Sequence, residues 1–297
     1  MSSGRGNGGS GGAARPWQGP SDLHLHSAHS DGTEPPAQVM AAAHRHGLRT
    51  VALTDHDTTS GWAEAAEAAT SLDMTLLPGM ELSAREGWRS VHVLGYLFDP
   101  DDVRLRELTD RIRQSRRTRI RTMADRIARD YDVSWEDIVA QTAVDASVGR
   151  PHIADALISK GIVADRTEAF ADILHPRGAY YVDLYAPDPV TAVAAIAGAG
   201  GVPIIAHPAA RAGLLDGQVI GRMLRAGLAG FELGHRENHP AGVTELSRIV
   251  AEHDLIVTGS SDYHGRGKPN LPGEHTTTDE MVERIIARAT GSPPVYP

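Results

Sequence analysis

The chain of 297 residues contains no cysteine. Disulfide bonds and thiolate metal sites are therefore excluded, and any metal ion must be bound by nitrogen and oxygen ligands. Long apolar runs are also missing, so no segment is expected to cross a bilayer. The N-terminus lacks the basic and apolar pattern of a signal peptide. We therefore expect a soluble, cytoplasmic protein with no membrane association.

An excess of basic residues is absent too, because 29 Lys and Arg stand against 38 Asp and Glu, a net charge of −9. This balance argues against a protein that coats nucleic acid, which would normally have a basic surface. It does not exclude an enzyme that acts on phosphates, because bound divalent cations reverse the local electric field. The residue type that the chain does have in quantity is histidine, with 15 copies.

The order of apolar and polar residues predicts an α/β fold. Residues 1–19 are mostly small or polar and are predicted to form a disordered tail. From residue 20 onward, strand-like runs alternate with helical segments, which is typical of a parallel sheet, and seven such strands indicate a barrel. The predicted strands are Leu23–Leu25, Thr50–Thr54, Thr75–Leu77, Val91–Leu97, Val202–Ala206, Gly230–Leu233 and Leu255–Thr258.

The alternation stops between residues 99 and 182, where the pattern is helical. We predict a barrel domain of residues 20–98 and 183–297, interrupted by a helical insertion domain of residues 99–182. The stretch Arg104–Arg129 has apolar residues at steps of three and four, which indicates an amphipathic helix. It also contains ten arginines and three acids. These arginines either form a solvated helix face or steer an anionic oligonucleotide.

Residues of the types that bind metals follow almost every predicted strand. In barrels of parallel strands the carboxyl ends of the strands form the active face, so these side chains are expected to meet there. His24 and His26 are two residues apart on a strand and therefore point to the same face. The nine candidate metal ligands are His24, His26, Asp31, His56, Glu81, His92, His207, Asp262 and His264.

The number of candidate ligands predicts more than one ion. Six histidines and three carboxylates, with Glu81 able to bridge, suit two or three divalent ions that also keep water ligands. Mixed imidazole and carboxylate ligation favours Mn, Fe, Co or Zn over Mg or Ca. Clustered ions polarise a phosphoryl oxygen and generate hydroxide at neutral pH. The sequence therefore predicts a phosphoester hydrolase.

The same residues lie in recognisable motifs, which resemble those of the polymerase and histidinol phosphatase (PHP) family. The motifs are Asp22-Leu23-His24-Leu25-His26-Ser27, Ser30-Asp31-Gly32-Thr33, Leu53-Thr54-Asp55-His56-Asp57, Gly79-Met80-Glu81, Val91-His92-Val93-Leu94-Gly95-Tyr96, Ala206-His207-Pro208 and Gly259-Ser260-Ser261-Asp262-Tyr263-His264. The resemblance implies a distorted seven-stranded, TIM-like (β/α)7 barrel and usually a trinuclear metal centre. It also implies three sets of ligands: His24, His26, Glu81 and Asp262 for one ion, Glu81, His92 and His207 for the second, and Asp31, His56 and His264 for the third.

A further motif lies in the insertion. Val148-Gly149-Arg150-Pro151-His152 resembles an element of the nucleotide phosphatases of this family. The resemblance implies hydrolysis of nucleoside monophosphates, 3′,5′-bisphosphates or short RNA from the 5′ end, with Arg150 and His152 binding the substrate phosphate. A helix cap or a salt bridge is the alternative role for Arg150. His235 and His239 are expected near the barrel mouth, either in the leaving-group pocket or in surface positions.

The hypothesis for catalysis is attack on phosphorus by a metal-activated hydroxide, with His207, His264 or Asp57 protonating the leaving group. One alternative with the same metal site is a histidinol-phosphate phosphatase. A second is a polymerase-associated proofreading module, which is normally part of a much longer polypeptide. The alternative from another class is a non-catalytic, metal-dependent binding domain. No obligate protein partner is expected.

Overall fold

The computed structural model describes residues 15–142, 146–210 and 213–297. The strands are β1 (Ser21–Leu25), β2 (Thr50–Leu53), β3 (Thr75–Glu86), β4 (Arg89–Tyr96), β5 (Val202–Ile205), β6 (Gly230–Gly234) and β7 (Ile256–Gly259). The helices are α1 (Pro36–Arg45), α2 (Trp62–Ser71), α3 (Val103–Ile127), α4 (Trp135–Val139), α5 (Arg150–Ser159), α6 (Arg166–Ala171), α7 (Pro189–Gly198), α8 (Gly217–Arg225), α9 (Pro240–His253) and α10 (Asp279–Arg288).

The seven strands form one sheet in the order of the sequence, from β1 to β7. Strands β1 to β3 are parallel to one another, as are β5 to β7. The two edges of the sheet meet where Leu25 forms a β-bridge with Tyr263 and the amide of His26 donates to the Tyr263 carbonyl at 2.9 Å. The sheet is therefore nearly closed into a barrel, which confirms the predicted seven-stranded fold.

The prediction of parallel strands throughout is wrong for β4, which runs antiparallel to both β3 and β5. The third strand does not end near Leu77 but continues to Glu86, which pairs with Arg89 across a turn of two residues. Gly87 in this turn has a φ of 58°, a conformation that glycine adopts without strain. Parallel neighbours need a crossover of a dozen residues or more, so a turn this short permits only an antiparallel pair.

The reversal of β4 brings His92 to the functional rim. His92 lies in the first half of β4 and pairs with Ser83 in the second half of β3. Because β4 is antiparallel, its early residues lie at the same end of the barrel as the late residues of the parallel strands. Glu81 likewise lies inside β3, opposite Leu94, and not after the end of the strand as expected.

The insertion has a hydrophobic core of its own. It is built by residues between Ile120 and Leu174, from the second half of α3 and from α4, α5 and α6. The first half of α3 packs differently, because Leu105 and Ile112 join Phe98 in the core beside the barrel. The long helix α3 thus connects the two cores, and the division of the chain at residue 99 stays a prediction.

Residues 15–19, the described part of the predicted tail, pack against the barrel. The Trp17 ring lies 5.9 Å from that of Tyr296, and the Trp17 carbonyl accepts a hydrogen bond from Thr50 Oγ1 at 3.1 Å. The expected boundary at residue 19 is therefore too late, and residues 1–14 lie outside the described residues. In the ranges that are described, no helix has the length and apolar character that a membrane span requires.

Candidate metal centre

The first group of candidate ligands lies at the seam between β1 and β7. His24 and His26 both direct Nε2 at Glu81 Oε2, at 3.2 and 3.1 Å. The same two nitrogens lie 3.5 and 3.4 Å from Asp262 Oδ1. All four residues are buried and offer ligand atoms within 4.8 Å of one another. These are the four residues predicted for the first ion.

Glu81 connects this group to a second one. Its Oε2 also lies 3.2 Å from His56 Nδ1, while its Oε1 lies 2.8 Å from His92 Nδ1 and 3.3 Å from His207 Nε2. The two carboxylate oxygens thus face different sets of imidazoles, as a bridging ligand requires. The compact group here is His56, Glu81 and His92. His207, which was predicted for this ion, lies beside the group through its contact with Glu81.

The third group contains the three predicted residues Asp31, His56 and His264, together with His26. Asp31 Oδ1 lies 3.0 Å from His264 Nε2, and its Oδ2 lies 3.7 Å from His56 Nε2. His264 Nδ1 donates to the Asp262 carbonyl at 2.8 Å, which leaves the lone pair of Nε2 available for an ion. The structure therefore brings all nine predicted residues to one rim, and their role as ligands stays a prediction.

The loop that carries Asp31 is held by Asp55. The Asp55 carboxylate accepts from the Ser27 amide at 2.8 Å and from the hydroxyls of Ser27 and Ser30 at 2.6 Å each. Gly32 is required in this loop, because a Cβ there would lie 2.6 Å from the His26 carbonyl oxygen. The loop can therefore fold back tightly over the strand end and present Asp31 to the rim.

The spacing of the donor atoms fits metal ions. Atoms bound about 2.1 Å from one ion in a tetrahedron lie about 3.4 Å apart, and the contacts of the first group span 3.0–3.5 Å. Two buried nitrogens, His56 Nδ1 and His264 Nε2, make no hydrogen bond to any described residue. Buried polar atoms normally have partners. The residues present therefore suit a cluster of divalent cations.

Charge interactions in the centre are strong. Burial acts to raise the pKa of Glu81, but His56, His92 and His24 outweigh it and hold this pKa well below its usual value. Burial opposes protonation of His24, yet the carboxylates of Glu232, Glu81 and Asp262 raise its pKa well above the usual value. A site that concentrates carboxylates strongly enough to hold a proton on a buried imidazole also attracts metal cations.

Two residues in contact with the centre were not among the predicted site residues. Glu232 in β6 is fully buried; its Oε1 accepts from His24 Nδ1 at 2.9 Å and its Oε2 accepts from the His207 amide at 2.9 Å. Lys268 Nζ lies 2.5 Å from Asp262 Oδ2, after the last strand. Glu232 is a charged residue in an otherwise apolar strand, and this pattern could have marked it in the sequence. No pattern in the sequence indicates the contact of Lys268 with Asp262.

The backbone is strained at the rim. His207, two residues after β5, and Asp262, three residues after β7, have φ values of 30° and 55°, and Asp57 has 55°. Such values are uncommon for residues other than glycine and persist only where the surroundings enforce them, often at functional sites. At His207 and Asp262 the strain turns the chain sharply after the strand and directs a ligand side chain into the centre.

Asp57, a predicted proton donor, is instead fully engaged in hydrogen bonds. Its Oδ1 accepts from the Ser83 amide at 2.7 Å, and its Oδ2 accepts from Ser83 Oγ at 2.9 Å and from Arg116 Nε at 2.7 Å. A buried carboxylate that accepts three hydrogen bonds is fixed in place. The geometry therefore favours a positioning role, and its catalytic role stays an untested prediction.

The residues predicted for substrate binding occupy different environments. His152 is buried and its Nδ1 accepts from the Gly149 amide at 3.0 Å, so it caps α5. Arg150 donates from a terminal nitrogen to the Leu174 carbonyl at 3.1 Å. His235 lies in the centre, with Nε2 3.7 Å from Asp262 Oδ2. His239 is an exposed residue that precedes α9, and within the described ranges no hydrogen bond or ion pair joins its side chain to the centre.

The fold is that of known metal-dependent phosphoesterases. Residues 22–141 match the model of the PHP domain family. A solved structure from Bifidobacterium adolescentis, assigned as a metal-dependent phosphoesterase, is 40% identical, with a TM-score of 0.89 over 93% of this chain and 98% of that one. The 3′,5′-nucleoside bisphosphate phosphatase of Chromobacterium violaceum is 32% identical over 90% of this chain and 95% of its own length. A 5′-3′ exoribonuclease of Haemophilus influenzae is 30% identical over 82% of this chain and 89% of its own length.

The chain belongs to the PHP family. It is a metal-dependent phosphoesterase, and therefore a hydrolase, which confirms the predicted class of enzyme and excludes the non-catalytic binding domain as its function.

Proposed function

We propose that the chain hydrolyses phosphate esters of nucleotides, with nucleoside monophosphates, 3′,5′-bisphosphates and the 5′ ends of short RNA as candidate substrates. The observation that carries the proposal is the convergence of three groups of metal-type ligands on one barrel rim, beside the first turn of α5. The activities named for the relatives from C. violaceum and H. influenzae support nucleotide substrates over histidinol phosphate.

We propose two or three divalent ions of Mn, Fe or Zn for the centre, held by the nine residues that meet at the rim. Bound ions of this kind activate water and neutralise the charge that develops on a phosphoryl group. The protein orients the ligands through Glu232, whose carboxylate fixes the ring of His24. The contact of His26 and His24 with one oxygen of Glu81 keeps these groups together.

Among the candidate proton donors we propose His207, on the condition that its ring is not fully committed to an ion. About a fifth of its side chain is exposed (22%), and its Nε2 is 3.3 Å from Glu81. His264 is 1% exposed and has Nδ1 bound to the Asp262 carbonyl. A leaving-group oxygen arrives from solvent, so the accessible imidazole is the better placed acid.

A cytoplasmic location also stays a prediction.

The proposal is tested by measuring phosphate release from AMP, adenosine 3′,5′-bisphosphate, a 5′-phosphorylated oligoribonucleotide and histidinol phosphate. The purified protein is loaded separately with Mn, Fe or Zn, and its metal content is determined. We expect two or three ions per chain and turnover of at least one nucleotide substrate, lost on chelation. Turnover of histidinol phosphate alone, or activity that persists without metal, would contradict it.

A further inference from the structure

An aromatic side chain is exposed at the tip of the hairpin between β3 and β4. Trp88 is 74% exposed, more than any other large apolar side chain in the described part of the protein. Single exposed apolar residues are ordinary on protein surfaces, so this exposure alone indicates no function. The neighbouring residue distinguishes it, because Arg89 Cζ lies 5.4 Å from the centroid of the indole ring, within the range of a cation–π contact. The hairpin tip therefore presents two planar groups side by side.

The hairpin tip extends beyond the metal rim. The pairing of β3 with β4 continues from Ser83 and His92 outward to Glu86 and Arg89. His92 is a candidate ligand, and a strand advances by roughly 3.4 Å per residue, so Arg89 lies about 10 Å beyond His92 along β4. The base of a nucleotide, or of the next nucleotide in an RNA chain, lies at a distance of this order from a phosphate held at the rim.

The tip is anchored through both of its strands. In β3 the Arg85 amide donates to the Pro187 carbonyl at 2.8 Å, which ties the hairpin to the segment before α7. In β4 the Arg89 guanidinium donates to the Leu214 carbonyl, which ties it to the segment before α8. The exposed indole ring is therefore carried by a fixed turn. A preorganised surface binds a ligand with a smaller loss of entropy than a mobile one.

A narrow cleft connects the hairpin tip to the metal centre. It follows β4 from Arg89 to His92 and is also lined by His207. Both of these histidines contact Oε1 of Glu81. The volume of the cleft is about 60 Å³, far below the roughly 300–1,000 Å³ of a pocket that encloses a drug-sized ligand. A nucleobase attached to a phosphate at the rim therefore lies outside the cleft.

We propose that Trp88 and Arg89 form a stacking platform for a nucleobase of the substrate. This inference rests on the proposed function, because it concerns a nucleotide substrate. Aromatic rings and guanidinium planes both stack on bases, and such stacking tolerates any base because every base has a π face. The charge of Arg89 also attracts the phosphate groups of the same substrate. The base belongs either to the nucleotide whose phosphate is bound at the ions or to the next nucleotide of an RNA chain.

The test uses two pairs of substrates on the metal-loaded enzyme, and the members of each pair differ by one base. AMP is compared with ribose 5-phosphate, and a 5′-phosphorylated adenosine dinucleotide is compared with the same dinucleotide without its second base. In at least one pair, Trp88→Ala should lower kcat/KM for the complete substrate by about 5–30-fold more than for its partner, mainly through KM. Trp88→Phe keeps an aromatic face and should restore most of this loss.

The two pairs separate the two sources of the base. A selective loss for AMP over ribose 5-phosphate identifies the base of the nucleotide that carries the bound phosphate. A selective loss for the complete dinucleotide over the one without its second base identifies the next nucleotide. Equal losses within both pairs, or no loss, would overturn the platform.

Val103→Ala is the matched control. Val103 is another exposed apolar residue (66%), but it begins α3, which follows the end of β4 that points away from the rim. This change should leave the ratios within both pairs as they are in the wild type. A selective loss of the same size in Val103→Ala would overturn the assignment of the effect to Trp88.

A second copy of the chain is the alternative occupant of the exposed ring. Light scattering of the wild type and of Trp88→Ala tests this directly. If the change converts a dimer into a monomer and leaves the ratios within both pairs unaltered, Trp88 is a subunit contact and the platform is wrong.

Failure of the platform and failure of the proposed function give different results. If the wild-type enzyme turns over AMP or the dinucleotide, and Trp88→Ala leaves both ratios unchanged, the platform is wrong and the function stands. If the metal-loaded wild-type enzyme turns over neither nucleotide, the proposed function is wrong and the platform falls with it.

Discussion

Glu232→Gln tests whether a residue that binds no ion still controls metal affinity by orienting a metal-binding histidine. Glu232 binds no ion in the proposed centre, but its two oxygens accept from His24 Nδ1 and from the His207 amide, each at 2.9 Å. A glutamine side chain has the same shape but only one oxygen. If the amide nitrogen faces His24, it donates to Nδ1 and forces the imidazole proton onto Nε2, the atom that faces the ion. If the amide nitrogen faces His207, its N–H groups point at the N–H of the His207 amide and no hydrogen bond forms between them.

The first arrangement weakens the binding of the ion predicted for His24, and the second disturbs His207, which is predicted for the second ion. Removing an outer carboxylate from a metal-binding histidine typically lowers metal affinity by about 10–100-fold, which corresponds to roughly 1.4–2.8 kcal/mol. We expect a loss of metal affinity near the upper end of this range, because Glu232 is completely buried and water cannot replace the lost acceptor. The ion held by His24, His26, Glu81 and Asp262 should be lost first, while the group around Asp31 and His264 is affected less.

The assay is a competition titration with a chromophoric chelator, supported by metal analysis after dialysis. Glu67→Gln, which removes the charge of an exposed helical glutamate, is the control for the change in net charge. Metal affinity of Glu232→Gln equal to that of the wild type and of the control would refute the reasoning, since it would show that the hydrogen bond to His24 does not tune the ligand.

Three further predictions follow from the same contacts. His26→Ala should lose metal and turnover together, measured by metal analysis and phosphate release; turnover with full metal content would refute the role of His26 as a ligand. Metal affinity should fall as the pH is lowered from about 8 to about 6, because the raised pKa of His24 means that the ion must displace a proton; titrations showing equal affinity would contradict this. Asp57→Ala should lower the free energy of unfolding by about 3 kcal/mol in denaturant titrations, because it leaves the partly buried guanidinium of Arg116 without its charged partner; a change below about 1 kcal/mol would show that the pair is solvated.

The convergence of the candidate metal ligands on one rim could be predicted because their positions depend on local rules. His24 and His26 alternate on one strand and therefore share a face, and His207 and His264 follow later strands. The spacing within each motif is thus translated directly into geometry once the strands form a barrel. The apolar positions of α3 were predictable for the same reason, since helical periodicity alone places Ile120 with Met123 in a core.

Other features depend on residues far apart in the chain. Arg116 and Asp57 are 59 positions apart, and the local sequence of neither indicates the other. The sequence showed ten arginines in the stretch Arg104–Arg129, but not that Arg119 and Arg150 both lie against the ring of Tyr181. The turn at Gly87 is short enough to indicate a hairpin between β3 and β4. The alternation of strands and helices in the rest of the chain led to the prediction of parallel strands there instead.

The sequence by itself therefore determined the type of fold, the candidate ligand residues that meet at the rim and the helical character of the segment between β4 and β5, because these follow from periodicity and residue chemistry within short segments. Only the tertiary structure decided the use of both Glu81 oxygens and the contact of Glu232 with His24. These features arise when the sheet closes and brings distant strands together, and contacts of that kind leave no periodic trace in the chain.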